Sequence, residues 1–105
     1  MANTFKNYAS ASVTTQTTVY TAPSATQSTI IGMTVANTAN ATANISVQVT
    51  MGATTVFVVK NAPIPVGGAL VPIGGDQKVV LEAADAIKVT SDQTVDVLLS
   101  VLEIS

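Results

Sequence analysis

The sequence predicts an all-β protein: a single antiparallel β-sandwich, jelly-roll or immunoglobulin-like, over residues 15–105, preceded by an extended N-terminal arm over residues 1–14. Three observations carry this. Valine and threonine occur sixteen times each, and with isoleucine they make up over a third of the 105 residues, the bias of a pleated, half-buried surface. Apolar and polar residues alternate with period two in several short runs. Clusters of Gly, Pro, Asn, Asp and Ser separate those runs as turns do. One core is expected at this length, because two would each be too small to stand without staples, and no cysteine is present to supply them. A chain that is 48% hydrophobic with a net charge of −2 lies far from the composition of disorder.

The strands are expected in this order. After the polar arm, Thr17-Thr-Val-Tyr-Thr21 reads as a short strand closed by the turn-like Ala22-Pro-Ser-Ala25. Ser28 to Val35 follows, with Ile31, Met33 and Val35 assigned to one face, and Asn37 to Asn44 is a polar connection. Ile45-Ser-Val-Gln-Val-Thr-Met51 is the clearest alternating strand. Gly52-Ala-Thr turns the chain into a strand from Thr55 to Lys60, so the two form a hairpin. Lys78 to Glu82, Ile87 to Thr90 and Val95 to Ile104 complete the set, with a turn at Ser91-Asp-Gln-Thr94.

Two segments need arbitration. Asn61 to Gln77 holds three of the four prolines and four of the six glycines. Its spacing fits neither Gly-x-x-x-x-Gly-Lys-Ser/Thr nor Gly-x-Gly-x-x-Gly, so a phosphate-binding loop is rejected. Prolines at 63, 65 and 72 withhold backbone donors, which places the stretch at a sheet edge. Between glycine pairs, Ala69 to Ile73 reads as a short strand boxed by turns. In the second segment, Leu81, Ala83, Ala84 and Ala86 favour helix, and Val80, Ala84 and Ile87 fall at helical spacing. Val79-Val80 and the return to Ile87-Lys-Val-Thr90 weigh more, giving strand, turn at Ala83-Ala-Asp85, strand.

The last strand bears on partners. Val95, Val97, Leu99 and Val101 share one face, while Leu98, Leu102 and Ile104 make the other face apolar too. The outer face of a sandwich strand in a monomer is normally polar. Burial beneath another subunit or the N-terminal arm would account for this, as would a central strand covered by a loop. Only 10% of residues are charged, and none lies between Lys6 and Lys60. Such a surface enters a permanent protein interface without the cost of desolvating unpaired charges. Phe5 and Tyr8 on the arm, with Leu98 and Leu102 on the last strand, are the candidate interface residues.

Chemistry is poorly served by this composition. Without His or Cys, the commonest general base, the commonest metal ligand and the thiol nucleophile are all missing. Asp76, Glu82, Asp85, Asp92, Asp96 and Glu103 show no spacing that marks a catalytic pair. Asp92 and Asp96 flank a turn but lack the Asp-x-Asp-x-Asp-Gly pattern of a calcium loop, and read as solvated turn carboxylates. No enzyme activity, metal or cofactor is expected. Four lysines, no arginine and four aromatic rings provide neither the basic stripe nor the stacking platforms of a nucleic-acid binder. No run reaches the ~18 apolar residues of a membrane-spanning helix. The first residues lack the apolar core of a secretion signal, so synthesis and folding in the cytoplasm are expected.

Several segments carry a resemblance that runs nearly from end to end: Ala2-Asn-Thr-Phe-Lys-Asn7, Thr18-Val-Tyr-Thr-Ala-Pro23, Val35-Ala-Asn37, the Pro63-Ile-Pro65 step, Lys78-Val-Val-Leu-Glu-Ala83 with Asp85, and Leu99-Ser-Val-Leu-Glu-Ile-Ser105. Together they resemble small virion structural proteins of tailed bacteriophages. In that pattern a glycine often precedes the aspartate where this chain has Ala84, a substitution that bears on the tightness of the turn. The resemblance implies a non-enzymatic virion component. A capsid decoration or cement protein is the leading form, bound to the major capsid protein on the outside of the shell and clamping neighbouring capsomers. A tail, neck, baseplate or fibre-associated adaptor is the alternative. Self-association is expected, with a trimer favoured by analogy with other decoration proteins.

Overall fold

The structure, a computed structural model, describes residues 3–73 and 79–104. Among these, nine strands and no helix are found: β1 (Asn3–Val13), β2 (Thr17–Thr21), β3 (Gln27–Asn37), β4 (Ala43–Met51), β5 (Thr54–Ile64), β6 (Ala69–Ile73), β7 (Val79–Leu81), β8 (Ala86–Ser91) and β9 (Val95–Ile104). They form two antiparallel sheets. The front sheet runs β1-β9-β3-β6, with β7 also paired to β3, and the back sheet runs β2-β8-β4-β5.

Period-two patterning sets which residues fill the space between the sheets. β9 buries Val95, Val97, Leu99 and Val101, β4 buries Ala43, Ile45, Val47 and Val49, and these meet Ile30, Met33 and Val35 of β3 with Ile87 and Val89 of β8 in one core. Met33 and Val35 point inward as expected. Ile31 does not, because it is the extra residue of a bulge between Ile30 and Gly32 that turns it toward the outside.

The N-terminal segment corrects the expectation of an extended arm. It is β1, the edge strand of the front sheet, paired along its length with β9 from Asn3↔Ile104 to Val13↔Val95. The cause is nonlocal. β9 already pairs with β3 on one side, and without β1 its other row of N–H and C=O groups would stand unpaired beside the core. The arm also leaves the second face of β9 open, since it lies beside that strand and does not cover it.

Strand, turn, strand is what the structure has at 79–91. Asp85 closes the turn: its N–H donates to the Glu82 carbonyl at 3.1 Å, and its carboxylate accepts from the Glu82 N–H at 2.9 Å. Ala84 sits at φ 71°, where a glycine would be relaxed. The turn is clasped to Ala22, whose N–H donates to the Asp85 carbonyl and whose carbonyl accepts from the Ala84 N–H. Pro63 and Pro72 lie in β5 and β6, both edge strands as proposed for the proline-rich stretch, and Gly67 takes φ 75° before β6. The second glycine pair falls outside the described residues.

Candidate functional site

Cross-strand register defines the outer side of the front sheet row by row, because directly opposed residues of paired strands share a face. One row is Phe5, Leu102, Thr29 and Val80 across β1, β9, β3 and β7. The next is Asn7, Ser100 and Gly32, and the third is Ala9, Leu98 and Thr34. Beyond lie Asp96, Ala36 and Ala69 at one end, and Asn3, Ile104 and Gln27 at the other. Large apolar side chains stand in water on this face: Phe5 is 74% exposed, Val71 61%, Val80 59% and Leu98 53%. Asp96 is the one charged residue in these rows, and it is held at the corner by accepting the Ser12 N–H at 2.9 Å.

The back sheet differs in kind. Its outer rows hold Thr18, Lys88, Gln48 and Phe57, then Thr90 with Ser46, then Thr21, Ala86, Thr50 and Thr55. Those are mostly hydroxyls and amides, with Phe57 lying beneath the Lys60 ammonium at 5.2 Å, although the β4–β5 hairpin also exposes Met51, Val56 and Phe57. Exposed large apolar side chains gathered on one face mark interaction surfaces; on the front sheet they lie to either side of the polar Asn7–Ser100 row. The outer face of the front sheet is therefore the candidate interaction surface.

Two hollows mark this face. Phe5, Asn7, Ile31 and Ser100 line one, and the small side chains of Ala9, Ala11 and Ala36 line the other beside Leu98. Of the four candidate interface residues, Phe5, Leu98 and Leu102 fall together here. Tyr8 lies on the opposite side of β1 and packs its ring on Tyr20 with centroids 4.8 Å apart.

That tyrosine belongs to a polar cluster under the β1 edge that sequence spacing did not reveal. Glu103, 6% exposed, accepts the Tyr20 hydroxyl at 2.6 Å and the Tyr8 hydroxyl at 3.2 Å, and pairs with the Lys6 ammonium at 3.0 Å. Ser28, fully buried, shares the Tyr20 hydroxyl at 2.6 Å. The Tyr20 hydroxyl, then Lys6 and Tyr8, hold the Glu103 carboxyl below the usual carboxylate range against the opposing effect of burial. Burial and the adjacent carboxylate push the Tyr20 phenol well up. A signal for Glu103 existed: by alternation it shares the inward face of β9 with Leu99 and Val101. The cluster fastens β1, β2, β3 and β9 together.

Of the other acids, Asp85 and Asp92 brace turns, and Asp76 falls outside the described residues. Asp92 accepts the Asn44 N–H and side-chain amide at 2.8 and 3.0 Å, which keeps its carboxyl low. Among the described residues no group of three His, Cys, Asp or Glu side chains converges.

No family model and no curated protein matches the chain. Two crystal structures of a pentameric capsid protein isolated from metagenomic phage sequences are similar to it, each at 20% identity with a TM-score of 0.46 over 92% of this chain. This chain spans 60% and 58% of the length of those two.

Proposed function

We propose that this chain is a non-enzymatic structural protein of a tailed-phage virion, a decoration or cement protein that joins neighbouring shell subunits by buried area and not by chemistry. The observation that carries this reading is the outer face of the front sheet, where Phe5, Val71, Val80 and Leu98 stand exposed and Asp96 is the one charged residue in the described rows. Such a face belongs in a permanent assembly, where its burial contributes about 25 cal/mol per Å² of apolar surface removed from water. The resemblance of both chain ends to small virion proteins points to the same setting.

Strand order adds support. Counting β6 and β7 as one interrupted strand, the order β1-β9-β3-β6/β7 facing β2-β8-β4-β5 favours the jelly-roll reading of the sandwich over the immunoglobulin-like one. Viral capsid domains and lectins use that architecture. Phe5, Leu98 and Leu102 are the proposed contact residues; Tyr8 acts behind them, through Tyr20 and Glu103, by fixing the strand that presents Phe5. Many copies on one shell would multiply a modest contact.

A reconstruction of the source particle tests the reading. Density for a two-sheet sandwich is expected on the outside of the shell, at junctions between capsomers. Density confined to the tail, neck or baseplate would replace the cement role with that of an adaptor, and its absence from the particle would refute a virion role.

A further inference from the structure

We propose that the occupant of the front-sheet face is a second copy of this chain, related by a two-fold axis that runs across the strands through the Ser100 row. The inference rests on the reading of that face as an interface, and assigns it to a second copy in place of a shell subunit.

Area is the first argument. Four strands at ~4.8 Å spacing and about nine residues at ~3.3 Å rise give a rectangle of about 19 × 30 Å, which side-chain relief brings near the roughly 800 Å² per partner of a stable interface. Shape is the second. Two sheet faces pack readily with strands within about 30° of each other, their side chains interdigitating. The outer rows of the back sheet carry mostly hydroxyls and amides, whereas the front sheet presents Phe5, Val80 and Leu98 to the same set on a second copy.

Register is the third argument and fixes the axis. A two-fold across the strands at Ser100 lays each strand antiparallel over its own counterpart, so the residue two places after Ser100 meets the residue two places before it. The Phe5–Leu102 row then faces the partner's Ala9–Leu98 row. Phe5, the most exposed large apolar side chain, sits over the hollow lined by Ala9 and Ala11. Leu102 meets the partner's Leu98, and Val80 comes over the partner's Val71, which lies in the irregular stretch beside Thr34. On the axis, Asn7, Ser100 and Gly32 are small enough for close approach.

Charge agrees. The same axis carries Asp96 to the Ile104 end of its partner, leaving the two carboxylates about 26 Å apart, well beyond the ~8 Å screening length. An axis along the strands would bring those ends together.

Light scattering on the full-length chain over a dilution series, with matched variants, is the test. The wild type should be a dimer. Leu98→Asp and Leu102→Lys should each weaken dimerisation by about a hundredfold or more while leaving the circular dichroism spectrum unchanged, since each buries an unpaired charge. The double variant carrying both changes should dimerise again, because each Asp meets one Lys of the partner and two such pairs form per dimer. The chain has no cysteine, so Ser100→Cys adds a single thiol that a short bismaleimide should cross-link within the dimer. A monomer, a trimer or a larger ring, or a dimer that neither rescues nor cross-links, would overturn the proposal. Those results leave the virion reading standing, whereas a dimer absent from the particle would refute that reading and leave the dimer intact.

Discussion

Replacing Glu103 by Gln should destabilise the fold by about 2 kcal/mol at neutral pH. The estimate comes from the two hydroxyl bonds at its buried carboxylate, Tyr20 at 2.6 Å and Tyr8 at 3.2 Å. Bonds to a charged acceptor contribute roughly 1.5–3 kcal/mol and neutral ones roughly 0.5–1.5. Each bond therefore loses about 1 kcal/mol when the charge goes and the shape stays. Lys6 is left out of that sum because its ammonium is half in water, where an ion pair contributes little. For a domain of this size the change corresponds to a fall in Tm of roughly 8–16 °C. Urea unfolding should show a lower midpoint with an unchanged slope. The pH dependence supplies the sharper check. Glu103 is held below its unfolded value, so its contribution is full above about pH 4.5 and is lost as pH falls through the folded pKa. The gap between wild type and variant should thus close in acid. Equal stability at pH 7, or a gap that persists undiminished to the lowest pH at which both fold, would refute the reasoning.

Four further outcomes follow from other parts of the molecule. Ala84→Gly should raise Tm slightly, by up to about 1 kcal/mol of added stability, because relief of a left-handed alanine, about 1–2 kcal/mol, exceeds the chain entropy of glycine, about 0.5–1; a thermal melt decides it. Asn37→Ala should cost about 2–4 kcal/mol in urea unfolding, since its amide donates to the Ala41 and Ile64 carbonyls and its oxygen accepts the Ala39 N–H. Leu98→Lys should leave the stability of the isolated subunit within about 0.5 kcal/mol, measured under conditions where association is absent, because the site is on the surface. Above about pH 10 the wild type should lose stability, as the raised Tyr20 phenol keeps its proton in the fold after the unfolded chain has released its own; Tyr20→Phe should flatten that limb.

Much of the fold was legible because the information was local. β2, β6 and β9 lie where their composition placed them, and the alternation in Ile45 to Met51 found β4 to within two residues. The apolar residues on both faces of β9 draw attention to its outer side, and register places Phe5, Leu98 and Leu102 on one surface. β1 was not legible, for it buries only Val13 fully and carries little apolar periodicity of its own. What makes it a strand is the open edge of β9, nearly ninety residues away. The Glu103 cluster escaped for the same reason: Lys6, Tyr20, Ser28 and Glu103 come from four strands, and no spacing along the chain relates them. Nor could composition foresee that Tyr8 and Phe5, three residues apart, would face opposite sides of β1.

The central claim is that the outer face of the front sheet is covered in the assembled particle. Labelling by a thiol reagent in purified virions measures it directly, with Leu98→Cys reporting on this face and Thr18→Cys on the back sheet. The account predicts that the cysteine at 98 is protected in the virion and becomes reactive on unfolding, while the one at 18 reacts in both states. Equal reactivity of the two sites in the intact particle would contradict it.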